Sequence, residues 1–569
     1  MPMLRLALAQ INPHVGDIEG NTRKILEYID KATKSKVDVI AFPELSVTGY
    51  PPEDLLLKKH FVQSNLKACE IIAAHTQDIT TIFGFVDSDE KRYNAAAVSH
   101  QGEIVGTYRK IHLPNYGVFD EKRYFASGKD CSIFVVGEAK IGINICEDIW
   151  YKNGPTRLQK EAGANLIVNI NGSPFSIGKK KQREGIIGQR IKENNIPIAY
   201  VNMVGGQDEL VFDGASLILD EKGEILARGN QFTEDLIICD MDIKTTINDS
   251  QKTSNSSRYG TSTIFVSRPN HKNRKNINPK VKPPMSDMNE IYQALVLGTK
   301  DYVNKCGFNK VLVALSGGID SSLVAAIATD ALGPENVVGI SMPSKFSSSG
   351  SETDAQKLAD NLGIQLQTVP IEQSFETMEK TLKPQFAGTE WGTAEENIQS
   401  RIRGNLIMAL SNKFGWLVLT TGNKSEMAVG YATIYGDMAG GFAVIKDVPK
   451  MMVYELCHHL NNSSEKELIP KSVIEKPPSA ELRHDQKDSD SLPDYKILDP
   501  ILEAYIEKQF SYEEIVSKGY ERETVKHIVG LVDTNEYKRR QSAPGIKITD
   551  MNFGRDRRMP IANGYNPFK

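Results

Sequence analysis

Three segments in the first half of the chain each end an apolar run with a reactive side chain. AFPELSVTGYPPEDL carries Glu44 behind an apolar run and a proline, YRKIHLPNYGVFDEKRYF carries Lys110 behind a β-rich run, and IGINICEDIW closes on Cys146. Taken singly, a Glu or Lys at a strand end reads as a surface charge, and a Cys among apolar residues reads as core. Together they supply a base, a cation and a nucleophile, the set that acyl transfer from an amide requires. An amide carbonyl resists attack, and a free thiol is mostly protonated at neutral pH. Glu44 would take the proton from Cys146 and later deliver it to departing ammonia. Lys110 would stabilise the oxyanion of the tetrahedral intermediate and keep the carboxylate ionised.

A second constellation sits in the other half. Residues 311–322, VLVALSGGIDSS, read as strand, glycine turn and helix start. Gly317 and Gly318 permit positive φ and close backbone approach. The helix start that follows, through Ile319, offers unpaired N–H groups and the positive end of a dipole. Ser316, Ser321 and Ser322 add hydroxyls, so the loop forms a cradle for phosphate oxygens. Asp320 supplies the carboxylate that a hard cation such as Mg²⁺ prefers. Neither G-x-x-x-x-G-K-[ST] nor G-x-G-x-x-G is present, so this is not a Walker or dinucleotide fingerprint.

The elements that must hold these residues differ between the halves. Residues 1–240 alternate short β-branched runs with amphipathic stretches, as in the strand Leu4–Gln10 and a helix over Asn21–Ser35 with Ile25, Leu26 and Ile29 at helical spacing. Further strands are expected at Val37–Phe42, Thr80–Phe85, Asn94–Ser99, Ile104–Tyr108, Lys140–Ile145, Asn165–Asn169, Ile198–Val204 and Ser216–Leu219. Many strands with few long helices imply packed sheets flanked by helices. From Ile243 the composition turns to Asn, Ser, Lys and Pro, which suits a linker or wrapping arm. Its basic cluster HKNRKNINPKVK reads as solvated linker rather than a nucleic-acid patch. A second domain begins near Met288. There, strands at Lys310–Leu315, Asn336–Met342, Ile364–Val369 and Trp416–Thr421 alternate strictly with helices, which implies a doubly wound parallel sheet with its ligand at the carboxyl ends. The expected domains are therefore 1–242, an arm over 243–286, and 287–569.

Composition narrows the class. Of 569 residues, 40% are hydrophobic and 25% charged, which excludes wholesale disorder. The formal charge of −4 lacks the basic footprint of a dedicated nucleic-acid binder, and no apolar run approaches membrane-spanning length. The N-terminus reads as a first strand, without the apolar core or cleavage site of a signal peptide. Six cysteines with no C-x-x-C pair fit reduced thiols in a cytoplasmic protein.

The blocks around Glu44, Lys110 and Cys146, in that order, resemble the nitrilase/amidase superfamily over about residues 1–240. The resemblance implies a Glu-Lys-Cys triad on an α-β-β-α sandwich. LPNYGVFDE and NGSPF resemble its glutaminase members, and there Tyr116, Ser173 and Lys179 match positions that contact glutamine. Members of that family often carry Ala where this chain has Gly172. SGGIDSS resembles the ATP pyrophosphatases, which cleave ATP between the α and β phosphates and adenylate a carboxylate or carbonyl. ENIQSRIRGNLIMALSN, LVLTTGNKSEMAVGYATIYGDMAGGFAVIKDVPK, DQKDSDSLPDYKILD and NEYKRRQSAPGIKIT narrow this to a resemblance to NAD synthetases over about 285–569. By that resemblance residues 316–322 and Thr421 contact ATP, Asn397, Glu426 and Lys538 contact deamido-NAD, and Asp320 with Glu426 binds Mg²⁺.

One half that frees ammonia and one that consumes it are complementary, and the whole chain resembles the glutamine-dependent NAD synthetase family. The resemblance implies amidation of deamido-NAD through an acyl-adenylate, with AMP, pyrophosphate and glutamate as by-products. It implies Mg²⁺ but no bound redox cofactor, only small-molecule partners, neither nucleic acid nor membrane, and a homo-oligomer. Two alternatives stand at this stage: an amidotransferase of the same ATP class with another acceptor, and a non-catalytic protein using the nitrilase half as a scaffold. Whether the serine-rich loop 345–352 covers the nucleotide is also open.

Overall fold

The computed structural model describes residues 3–243, 259–269, 272, 274–277 and 279–568. They form two compact units, one of residues 1–207 and 211–285 and one of residues 208–210 and 286–569.

The first unit is built on two sheets. One has the order Asp235–Asp242, Met3–Gln10, Val39–Ala41, Thr80–Ser88, Arg92–His100, Glu103–Arg109. The other runs Ile225–Arg228, Leu217–Leu219, Ile198–Asn202, Leu166–Asn171, Ala139–Ile145, Ile133–Val136, Thr263–Ser267. Side chains alternate along a strand, so a strand covered on both faces must be apolar at odd and even positions alike. Met3–Gln10 obeys this. Leu6 and Leu8 enter the core between the sheets with Ile141, Ile143, Val168 and Ile170. Ala7 and Ala9 face the helices Ile18–Lys34 and Lys59–Ala74 and their Ile25, Ile29 and Ile72. The second sheet's other face packs Ile167 and Ile198 against Ile187 and Ile191 of the helix Lys179–Asn194. The layers are therefore α-β-β-α.

Parallel pairing brings the reactive strand ends together. Val39–Ala41 lies parallel to Met3–Gln10 and to Thr80–Ser88, and Ala139–Ile145 lies parallel to Leu166–Asn171. Glu44 follows the first of these, Cys146 and Gly172–Ser173 follow the last two, and Lys110 follows Glu103–Arg109.

The described part of the arm belongs to this unit. Thr263–Ser267 adds a parallel edge strand to Ile133–Val136, and Arg274 pairs with Asp38 at 2.6 Å. Ile264 and Val266 of this strand pack against the core between the sheets. Residues 244–258, and positions 271, 273 and 278 of the basic cluster, lie outside the described residues. The run expected as one strand over Ile198–Val204 breaks at Met203, and Val204–Gln207 turns into a two-stranded ribbon with Leu210–Asp213.

The second unit carries five strands in the order Gln365–Thr368, Val337–Ser341, Val311–Ala314, Leu417–Thr420, Phe442–Ala443, with every pairing parallel. The chain enters at the central strand and its neighbours are reached in opposite directions, so a switch point falls at the end of Val311–Ala314. The SGGIDSS turn stands there. Beyond residue 450 the unit is helical, around a cluster that includes Leu498, Ile501, Val525 and Ile528.

Candidate functional sites

In the first unit Glu44 and Lys110 are fully buried and Cys146 is 6% exposed. Lys110 Nζ donates to Glu44 Oε1 at 2.7 Å and to Glu121 Oε1 at 2.8 Å. Asn94 Nδ2 donates to Glu44 Oε1 at 2.6 Å, and the Gly172 amide donates to Glu44 Oε2 at 2.8 Å. Tyr50 completes the set by donating to Glu121 Oε1 at 3.0 Å. A buried charge is tolerable only when paired and hydrogen-bonded, and this carboxylate-ammonium-carboxylate row meets that demand.

The electrostatics follow from the row. Burial alone would strip the proton from Lys110, but Glu121 and Glu44 outweigh it and hold its pKa well above the usual lysine range. Burial and the charge of Glu44 push the Glu121 carboxyl up to about 7 against the pull of Lys110. Burial and Glu44 also lift the Cys146 thiol well above its usual range, with Lys110 opposing. Burial and the charge of Glu44 thus both disfavour the thiolate at rest. The Cys146 backbone stands at φ 43°, in the left-handed region, where the strand Ala139–Ile145 gives way to a one-turn helix Cys146–Trp150. An L-residue held there stores strain and is aimed by its surroundings.

Asp148, two residues on, fastens the nucleophile to the cation. Its carboxylate accepts the amides of Ile111, His112 and Ile145 and the hydroxyl of Tyr108. It thereby spans the Lys110 strand end and the Cys146 turn. Neither Glu121 nor Asp148 was singled out from sequence, although both lie inside the blocks that flagged Lys110 and Cys146.

The glutamine candidates gather near the thiol's turn. Tyr116 donates to Glu147 Oε2 at 2.8 Å and is 57% exposed. Lys179 Nζ stands 4.5 Å over the Trp150 ring and adds positive potential at Glu147. Ser173 is buried, with its amide and carbonyl both held by the Asn202 side chain. The group offers a carboxylate, an ammonium and a phenol, the donors and acceptors that an amino-acid zwitterion needs.

The second unit holds a cavity of about 510 Å³ over the carboxyl ends of its strands. Ser316, Gly318, Ile319, Asp320, Ser321 and Thr421 line it, as do Asn397, Glu426 and Lys538. Gly317 and Ser322 do not. Gly317 has φ 75°, and a Cβ there would collide with the Ser351 carbonyl, so its role is to let the turn pass. Ser322 is buried and its hydroxyl returns to the Gly318 carbonyl at 2.9 Å. The helix begins at Ile319, which puts Asp320 in its first turn.

Asp320 and Glu426 share a cation that the sequence reading missed. Lys450 Nζ donates to Asp320 Oδ2 and reaches Glu426 Oε1 at 3.4 Å, while Asn423 donates to Asp320 Oδ1 at 2.8 Å. Burial would lower Lys450, but Asp320 and Glu426 overcome it and keep it charged. Burial and the Asp320 charge push the Glu426 carboxyl up to about 8. Asp320 and Glu426 supply carboxylate oxygens, the ligand type that a hard cation such as Mg²⁺ prefers. Asn397 accepts from the Thr433 hydroxyl, and Lys538 donates to the carbonyls of Gly430 and Ala432.

Residues 5–250 match the carbon-nitrogen hydrolase family and residues 291–542 the NAD synthase family. The chain is 49% identical to a glutamine-dependent NAD(+) synthetase of Thermotoga maritima and 47% identical to one of Aquifex aeolicus, covering 99% of itself with 99% and 100% of the relatives. Among solved structures, it is 42% identical to a glutamine-dependent NAD+ synthetase from Acinetobacter baumannii in complex with ADP. The TM-score is 0.76, with 99% of both chains covered.

Proposed function

The chain belongs to the glutamine-dependent NAD(+) synthetase family, and we propose on that premise that it amidates deamido-NAD to NAD with ATP and nitrogen drawn from glutamine. The observation that carries this is the presence of both sites in one chain, each with its charges in place.

In the first unit, Glu44 Oε2 keeps one lone pair beyond its bond to Gly172. It receives the thiol proton as Cys146 attacks the side-chain carbonyl of glutamine. Lys110 is held charged by two carboxylates and supplies positive potential to the developing oxyanion. The proton on Glu44 then leaves with ammonia, and water releases glutamate from the thioester. Tyr116, Ser173 and Lys179 hold the glutamine, with Glu147 placed to meet its ammonium.

In the second unit, the Ser316–Ser322 turn and Thr421 hold ATP, while Asn397, Glu426 and Lys538 hold deamido-NAD. The nicotinate carboxylate attacks the α phosphorus and expels pyrophosphate, and ammonia then displaces AMP from the acyl-adenylate. Asp320 and Glu426 are the residues to hold Mg²⁺, which when bound neutralises phosphate charge. A cytoplasmic homo-oligomer fits the family resemblance and the six free thiols. No helix of the described residues is long and apolar enough to cross a membrane.

Isotope tracing tests the whole. With glutamine labelled at its side-chain nitrogen, the label appears in the NAD carboxamide and the nucleotide product is AMP. Unlabelled NAD, or ADP as product, refutes the reading.

A further inference from the structure

The rim of the synthetase cavity already contains an anion, and it belongs to the chain. Glu481 Oε1 accepts from Lys476 Nζ at 2.7 Å, Ser351 Oγ at 2.7 Å and Ser348 Oγ at 3.1 Å. Its Oε2 faces the Ser348 amide at 3.4 Å. Lys476 also donates to the Ser351 and Ser348 hydroxyls. Ser348 caps the fourteen-residue helix Ser349–Leu362, so the carboxylate sits at the positive end of that helix. One ammonium, two hydroxyls and an amide at a helix start are the donors that a phosphate group takes.

Several observations mark the carboxylate as a substitute. Ser348's neighbour in the cradle, Ser351, is the residue whose carbonyl forbids a side chain at Gly317, so the cradle abuts the phosphate turn. Ser351, Lys476 and Glu481 line the same cavity as Ser316 and Asp320. Arg403 lines it too; its guanidinium has one hydrogen bond among the described residues, from Nε to the Met342 carbonyl, and it is attracted to Glu481. Glu481 moreover holds φ 49°, a left-handed backbone that is costly for a non-glycine residue. Its side chain is 19% exposed, at the edge of the cavity and not in its core.

We propose that Lys476, Ser348 and Ser351 form a phosphate subsite of this cavity, and that Glu481 occupies it until a nucleotide phosphate or pyrophosphate displaces it. The proposal rests on the cavity being the ATP site. Displacement relaxes the backbone at Glu481 and exchanges one carboxylate for a more highly charged anion on the same donors. A ligand that must first evict an internal competitor binds with an apparent Kd equal to its intrinsic Kd divided by the fraction of time the subsite is free. The other reading is that Glu481 merely staples two loops, and it predicts the opposite sign.

Titration of inorganic pyrophosphate with Mg²⁺ into the full chain, followed by calorimetry, separates them. E481Q keeps the shape and removes the charge; its Kd falls about three- to tenfold below wild type. E481A gives a change of the same sign. K476M raises the Kd about tenfold, and in a K476M background E481Q brings no gain. Unfolding temperatures report that each variant is folded. Unchanged or weaker binding by E481Q and E481A overturns the proposal. Failure of the wild-type chain to bind either ATP or pyrophosphate instead overturns the assignment of the cavity.

Discussion

The two sites solve the problem of buried charge in opposite ways. In the amidase pocket Glu44, Lys110 and Glu121 form a closed row, and each partner keeps the geometry that the reaction uses. In the synthetase cavity the charged groups are paired with one another: Lys450 with Asp320 and Glu426, Lys476 with Glu481. The first is organised before its substrate arrives. On the proposal made above, the second exchanges an internal partner for ligand charge. A small neutral amide brings no charge at its reacting end, whereas ATP and deamido-NAD bring several phosphates. The contrast therefore follows the chemistry of the ligands.

The sharpest way to break this contrast is to disable one site at a time. Cys146→Ala lowers glutamine-driven synthesis by about 10⁴-fold or more and leaves synthesis from added ammonium near wild type, read as NAD formed from each donor. Equal loss with both donors would show that the sites are not separate devices. Asp320→Ala lowers synthesis by about 10²- to 10³-fold with either donor while glutamine hydrolysis persists. Retained synthesis would remove Asp320 from the cation's ligands.

Glu121 tests how far the amidase row is organised in advance. Glu121→Gln lowers glutamine hydrolysis by about 10²-fold, with kcat affected more than KM. Its carboxyl titrates at about 7, so wild-type kcat/KM carries a step there that the variant lacks. The sign for stability is fixed as well. A carboxyl raised from 4.5 to about 7 binds its proton more tightly in the folded chain, so stability falls as pH rises across that window. Denaturant unfolding of Glu121→Gln shows a flatter slope there.

The mildest test is Gly172→Ala, which installs the residue common in the resembled family. The new Cβ would lie 3.0 Å from Tyr50 Cγ and 3.3 Å from Glu44 Oε2. A few tenths of an ångström must be absorbed by the Tyr50 ring, at a cost of about 1 kcal/mol. Glutamine hydrolysis falls about threefold to tenfold, and synthesis from ammonium is unchanged.

What could be read beforehand followed from locality. Glu44, Lys110 and Cys146 each close an apolar run, and the glycine turn closes another, so strand ends announced themselves. The parallel second sheet was visible in its strand–helix alternation. Glu121 sits in a four-residue helix, Glu121–Tyr124, with no periodicity to mark it. Lys450 opens a helix and reads as a solvated cation until residues 320 and 426 are folded onto it. Glu481 lies in a polar stretch whose meaning depends on a partner 130 residues away. The edge strand Thr263–Ser267, the short run TIFVS, escaped notice because polar linker-like segments flank it on both sides.

Asp148 has one more consequence. The amides of Ile111 and His112 both end on its carboxylate, so solvent deuterium enters them when the turn bearing the thiol parts from the strand bearing the ammonium. Exchange at these two positions is therefore a clock for dismantling the amidase chemistry, and both should keep the same time.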